Sequence, residues 1–275
     1  MTVPFITLNQ GSAIPQLGFG VFKVAPEVTQ GIVEEALAAG FRHIDTATGY
    51  HNEAEVGAAI RACGVPRDQL FVTTKLWNDD HKVGDVRGAF ERSLTALGMD
   101  RVDLYLIHWP LAARDKYLPA WQEFVKFQNE GLASAIGVSN FQIPHLERII
   151  TATGVTPAVN QVELHPVFQQ RPLRAYLREH GIAVEAWGPL GQGRYALDSY
   201  APIADAATAH GKSPAQVVLR WHIQTGTIAI PKASTRAHMD QNFDVFDFEL
   251  TRDEMAAIDA LDTNQRLGGD PDQIN

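Results

Sequence analysis

Asp45, Tyr50, Lys75 and His108 are residue types that move protons, and three of them close apolar runs of this 275-residue chain. Asp45 follows residues 41–44 (FRHI), Lys75 follows 70–74 (LFVTT) and His108 follows 102–107 (VDLYLI). Singly, each has an ordinary structural explanation. Asp45 would cap a turn or a helix, Tyr50 would pack, Lys75 would reach the surface, and His108 would sit satisfied in the core. Together they form a set with one chemistry. A buried Asp45–Lys75 pair needs both partners, since either alone is a costly unpaired charge. A lysine beside Tyr50 favours the phenolate and is expected to lower the pKa from its usual value near 10. Such a tyrosine gives or takes a proton near neutral pH, and His108 would orient a carbonyl oxygen. An acid beside a carbonyl, with no evident metal site, calls for a hydride donor from outside the chain.

Further polar and aromatic residues fall at the ends of other apolar runs. Ser139 and Asn140 follow 133–138, Gln161 lies in 158–162, Trp187 ends 182–187, and Lys232 follows 227–230. The flat ring of Trp187 could stack on a nicotinamide, and Ser139, Asn140 and Gln161 could hydrogen-bond its carboxamide. Lys232 would bind a phosphate beside the first turn of a following helix, or else stand exposed at a turn. No dinucleotide fingerprint accompanies them: Gly18 and Gly20 are followed by Lys23 where a third glycine belongs, and Gly188, Gly191 and Gly193 are wrongly spaced. A Rossmann domain is not expected.

The elements that position these residues alternate. Eight short apolar runs, the remaining one being 17–22, are separated by helical patterns. Residues 27–39 place Val28, Ile32, Val33, Ala36 and Leu37 on one face and stop at Gly40, a suitable C-terminal cap. Residues 83–97 repeat the pattern with Val83, Val86, Phe90, Leu94 and Leu97, and 143–150 with Ile143, Leu146, Ile149 and Ile150. Thr251 and Glu254 form a capping box before a last helix carrying Met255, Ile258 and Leu261. Eight strand–helix units predict an α/β fold, a (β/α)8 TIM barrel, with a doubly wound sheet as the alternative. Residues 6–15 read as an N-terminal hairpin covering one barrel end, and 263–275 as a C-terminal loop. No linker divides the chain, so a single domain over 1–275 is expected. A barrel carries its chemistry at the C-terminal ends of its strands, where the residues above fall.

Composition narrows the function. A net charge of −9 argues against nucleic acid or an anionic membrane as partner, while leaving room for a small basic pocket. Cys63 is the only cysteine, which excludes an intrachain disulfide and a cysteine-based zinc site. The first residues lack the pattern of a secretory signal and no stretch is long enough to span a membrane, so a cytoplasmic location is expected.

These residues lie in stretches that resemble the aldo-keto reductase family. Residues 40–47 (GFRHIDTA) with Tyr50, Asn52, Glu53 and Gly57 are similar to its first signature. Residues 106–110 (LIHWP), 136–141 (IGVSNF), 160–166 (NQVELHP) and 230–232 (IPK) follow in the family's order, so the resemblance spans nearly the whole chain. Residues 187–193 and 242–248 are most similar to the bacterial 2,5-diketo-D-gluconic acid reductases. The resemblance implies a barrel that binds NADPH in extended form and reduces aldehydes, ketones or diketo sugar acids, with Tyr50 as general acid. It implies that Asp45 holds Lys75, that Lys75 tunes Tyr50, and that His108 positions the substrate. It implies Phe22, Trp77 and Trp109 as walls of the substrate pocket. Cofactor contacts are implied at Ser139, Asn140, Gln161, Trp187, Gly188, Leu190, Lys232, Ala233, Ser234, His238 and Asn242. The family is often monomeric.

The chain departs from the family pattern where the 2′-phosphate is usually held. Ala233 stands in place of serine or threonine, and His238 in place of an arginine. An arginine is always charged and grips a phosphate with two hydrogen bonds, whereas a histidine is cationic only in part at neutral pH. A weaker preference for NADPH over NADH is therefore expected, unless Arg236 makes the contact. His51 replaces a small residue after the tyrosine, and Ser134 a basic one. Two rival functions fit the same residues: a Schiff-base lyase with Lys75 as nucleophile, and a non-catalytic redox-sensing subunit that binds NADP without turnover.

Overall fold

The computed structural model describes residues 3–81 and 85–274. Val83, the expected start of one helical face, lies outside them. The chain opens with an antiparallel hairpin of β1 (Phe5–Thr7) and β2 (Ala13–Pro15). Eight parallel strands follow: β3 (Phe19–Gly20), β4 (His43–Asp45), β5 (Phe71–Leu76), β6 (Val102–Ile107), β7 (Ala133–Ser139), β8 (Val159–Glu163), β9 (Ala183–Trp187) and β10 (Ile228–Ala229). Each pairs with the next. Gly18 N donates to Ala229 O (2.9 Å), Ala229 N to Gln16 O (3.0 Å) and Gly20 N to Pro231 O (3.1 Å), which joins the last strand to the first. The sheet is a closed barrel, as the alternation predicts.

The helices α1 (Pro26–Ala39), α2 (Glu53–Ala62), α3 (Val86–Leu97), α4 (Tyr117–Asn129) and α5 (Ile143–Thr153) follow successive strands from β3 to β7. α6 (Arg171–Glu179) follows β8, α7 (Ala201–His210) and α8 (Pro214–Gln224) follow β9, and α9 (Arg236–Phe243) and α10 (Arg252–Asp259) follow β10. Their boundaries follow local chemistry. Gly40 ends α1 at φ 116°, a left-handed conformation that costs glycine no strain. The Thr251–Glu254 capping box starts α10. Two sequence expectations shift: Val28 is 52% exposed, the α1 face being Thr29, Val33, Ala36 and Leu37, and Leu261 falls beyond the end of α10.

Side chains alternate in and out along a strand, and the alternation sorts the barrel interior by depth. At the N-terminal end Phe71, Leu104, Leu106, Ala135, Val159 and Ile228 form an apolar plug with Leu8 and Ile14 of the hairpin. Hairpin residues Asn9 and Gln10 donate to the carbonyls of Pro157 (3.0 Å) and Thr156 (2.9 Å), pinning this cover. Toward the C-terminal end the buried positions become polar: His43 and Asp45 on β4, Thr73 and Lys75 on β5, Gln161 and Glu163 on β8, and Glu185 on β9. The ionisable side chains of these strands are thus gathered at that end.

Candidate active site

Lys75 is fully buried at the end of β5. Its Nζ donates to Asp45 Oδ1 (2.6 Å), Thr46 O (2.9 Å) and the Tyr50 hydroxyl (3.4 Å), so all three hydrogens are in use. Burial alone would lower its pKa, but Asp45 and then Tyr50 reverse that and raise it above the usual value. Tyr50 ends a short 3-10 turn, Thr48–Tyr50, whose Thr48 hydroxyl donates to the carbonyl of Lys75 (3.1 Å). The turn needs Gly49, because a Cβ there would lie 2.1 Å from the Trp77 indole. His108 completes the set, its ring 5.6 Å from the Tyr50 ring and 5.2 Å from Trp77. Burial, then the charge of Lys75, holds the His108 pKa well below the usual value, so this imidazole is neutral.

One expectation is overturned. Lys75 does pull the Tyr50 pKa down, yet burial outweighs it and pushes the hydroxyl up to about 12. The phenolate form would lose more by leaving water than it gains from a lysine already shared with Asp45. Tyr50 keeps its proton at neutral pH.

A cleft of about 580 Å³ opens over these residues. Phe22, Trp77 and Trp109 line it beside Tyr50 and His108, and the Phe22 ring lies 5.0 Å from that of Tyr50. Asn140, Gln161, Trp187, Gly188, Leu190 and Lys232 also line it. Ser139 is fully buried outside the cleft lining, its hydroxyl spent on the Gln161 carbonyl (2.8 Å). Asn140 donates to the His108 carbonyl (3.0 Å) and accepts from Trp187 Nε1 (2.8 Å), which ties the indole to the cleft floor. Ala233, Ser234, His238 and Asn242 are not in the cleft lining. They lie at and around α9, where Ser234 and His238 are exposed and Ala233 and Asn242 buried. The His238 amide is capped by the Thr235 hydroxyl (3.3 Å), and Arg236 is paired with Asp240 (2.7 Å).

Several residues at the site have no role in the sequence reading. Lys23 and Arg194 line the cleft with Lys232, and among the described residues none of the three has a carboxylate partner within 4.0 Å. Burial and then Lys23 lower the Lys232 pKa, so an anion there would relieve both effects. The C-terminal segment lies across the mouth, with Gly268 and Gly269 in the cleft wall. It is held by Glu163, whose carboxylate accepts from the amides of Leu267 (2.6 Å) and Gly268 (2.9 Å) and pairs with His165 (3.1 Å). Glu185 is fully buried beneath the cleft, its pKa pushed up to about 8 by burial and then by Asp45. The signal for both was a period of two: Glu163 lies two residues after Gln161, and Glu185 two before Trp187.

Residues 16–263 match the model of the aldo/keto reductase family. Over 269 residues the chain is 49% identical to methylglyoxal reductase DkgA of Escherichia coli (strain K12), covering 98% of this chain and 97% of that one. A crystal structure of an aldo/keto reductase from Brucella melitensis superposes with a TM-score of 0.91 at 50% identity, covering 95% of this chain and all of that one. A variant of Gox0644 in complex with NADPH superposes with a TM-score of 0.95 at 42% identity, over 100% of both chains. No helix among the described residues is long and apolar enough to cross a membrane. The chain belongs to the aldo/keto reductase family, and is an NAD(P)H-dependent enzyme that reduces carbonyl compounds.

Proposed function

We propose that the enzyme reduces small, compact aldehydes and dicarbonyls such as methylglyoxal, with Tyr50 as proton donor and NADPH as the preferred cofactor. The observation that carries this is the Tyr50 hydroxyl, 3.4 Å from a charged lysine, in a cleft beside Phe22, Trp77 and Trp109. Beside Tyr50 the walls are aromatic, and with the cleft's cations taken up by the cofactor phosphates this end favours a small neutral carbonyl compound over a larger anionic sugar acid. The residues present also fit NADPH: Lys23, Arg194 and Lys232 are cations in want of phosphates, Trp187 offers a flat ring, and Gln161 and Asn140 offer polar atoms. Bound NADPH supplies a hydride to the carbonyl carbon.

The chain's own residues handle the proton. Tyr50 stays protonated at neutral pH and gives its proton to the carbonyl oxygen, which becomes a far stronger base than a phenolate as the alcohol forms. Lys75 stabilises the tyrosinate left behind, and Asp45 keeps Lys75 charged and aimed. Neutral His108 can donate one hydrogen bond to the same oxygen and so orient it. A Schiff-base role for Lys75 is disfavoured, because a nucleophilic amine needs a free lone pair and a lowered pKa.

The test is consumption of NADPH, followed at 340 nm, with methylglyoxal and with 2,5-diketo-D-gluconate. Turnover is expected with both, with the larger kcat/KM for methylglyoxal. A reversed order would overturn the substrate reading. No NADPH oxidation with either would overturn the reductase assignment for compact dicarbonyls.

A further inference from the structure

Glu185 is an ionisable group in the barrel that the mechanism above does not use. It is the register partner of Gln161 on the neighbouring strand, so both side chains leave the sheet at one level. Gln161 Nε2 donates to Glu185 Oε2 (2.9 Å) and to Asp45 Oδ2 (2.8 Å). A primary amide has two N–H hydrogens and one carbonyl oxygen, and a carboxylate only accepts. Asp45 therefore fixes which end of the amide is nitrogen, and the two carboxyl groups together use both hydrogens. Only Oε1 remains to meet a ligand in the cleft that Gln161 lines.

We propose that Glu185 is a positioning residue: by taking the second N–H of Gln161 it makes that amide a pure acceptor toward the cleft, so the site selects a cofactor ring substituent that donates an N–H. This rests on the reading of Gln161 as a contact of the nicotinamide carboxamide. The groups that face Glu185 leave it free for this task. His43, from β4, lies 3.6 Å away but is held neutral, its pKa pushed down to about 3 by burial and then by Lys75. Lys75, from β5, is spent on Asp45, Thr46 and Tyr50. Asp45 repels the carboxylate form of Glu185, and the charge of Glu185 in turn raises the Tyr50 pKa. Protonated or ionised, Glu185 keeps an oxygen that accepts from Gln161, so the orientation holds on both sides of its titration. Without Glu185 one N–H of Gln161 would be buried and unpaired, and the amide would turn to offer it to the cleft.

The test uses dissociation constants, read by tryptophan fluorescence, for NADP⁺ and two analogues. The thionicotinamide analogue keeps the N–H donors, and the 3-acetylpyridine analogue presents a carbonyl alone. Wild type should bind the first about as tightly as NADP⁺ and the second about tenfold more weakly, the cost of an unmatched buried polar contact. Glu185→Leu should shrink that discrimination to about twofold, and Glu185→Gln, which still offers an oxygen to Gln161, should retain it. Leucine leaves no unpaired charge in the barrel, so the variant should fold. Discrimination unchanged in Glu185→Leu would overturn the proposal. Equal affinities in wild type would do the same, whatever the fate of the variant. Failure of all three dinucleotides to bind wild type would instead overturn the cofactor reading on which the proposal stands.

Discussion

Removing Lys75 should unfold the protein as readily as it stops catalysis, and one further substitution should separate the two effects. The Lys75 side chain is 0% exposed and that of Asp45 3%, with nitrogen and oxygen 2.6 Å apart. Lys75→Met leaves the Asp45 carboxylate buried with only the Gln161 amide for company. Stranding one member of a buried pair costs about 3–5 kcal/mol. For a chain of this size that corresponds to a fall in Tm of about 6–20 °C. In Asp45→Asn/Lys75→Met no charge is stranded, and stability should return to within about 1 kcal/mol of wild type. On the proposed mechanism activity should not return, since the double variant also lacks the cation beside Tyr50; kcat should stay down by about 10²-fold or more in both variants. Lys75 carries its charge throughout pH 6 to 9, so its own protonation adds no pH dependence to the gap over that range. The Lys75 pKa is raised above 10.5 in the folded state, so the pair contributes fully below the unfolded value and is lost only as pH rises through the folded one. Calorimetry and NADPH oxidation at several pH values give both readouts. A double variant no more stable than Lys75→Met would refute the stranded charge, and a fully active one would refute the role of Lys75.

Tyr50→Phe removes one hydroxyl, that of the proposed proton donor. It should lower kcat by about 10²–10⁴ while leaving the NADPH dissociation constant unchanged, and a variant retaining most of its turnover would exclude Tyr50 as the acid. Glu185 makes stability fall with pH: its folded pKa is raised to about 8, so the unfolded chain releases this proton from about 4.5 upward while the folded chain holds it. Denaturation of wild type and Glu185→Leu at pH 5 and pH 8 should therefore show the variant gaining on wild type by more than about 1 kcal/mol. A gap that does not change with pH would mean that Glu185 is ionised throughout. His238→Arg, at the exposed first turn of α9, should raise the ratio of kcat/KM for NADPH over NADH about tenfold by adding a permanent charge. An unchanged ratio would remove position 238 from the cofactor site.

The barrel is legible in the sequence because its rules are local. A buried parallel strand reads as an apolar run, a helix as a 3.6-residue stripe, and a glycine or capping box marks where each helix ends or begins. Asp45, Lys75 and His108 stand out because each interrupts that pattern at a strand end, where a barrel exposes its chemistry. What was not legible depends on distance through space. The direction of the Tyr50 shift could not be read from a neighbouring lysine, because it is set by how much water the folded chain removes from the hydroxyl. The C-terminal segment reads as a polar loop, yet its Leu267 and Gly268 amides find Glu163, 104 and 105 residues earlier, and close over the cleft. Lys23 and Lys232 come to influence each other only because β10 closes onto β3. Glu185 acquires its partners in the same way, since Gln161 and Asp45 lie on strands that only the barrel brings round one axis. Local sequence determines which elements form and where their polar ends fall. Tertiary structure decides which of those ends meet and how far each is withdrawn from water, and both charge state and hydrogen-bond direction follow from that.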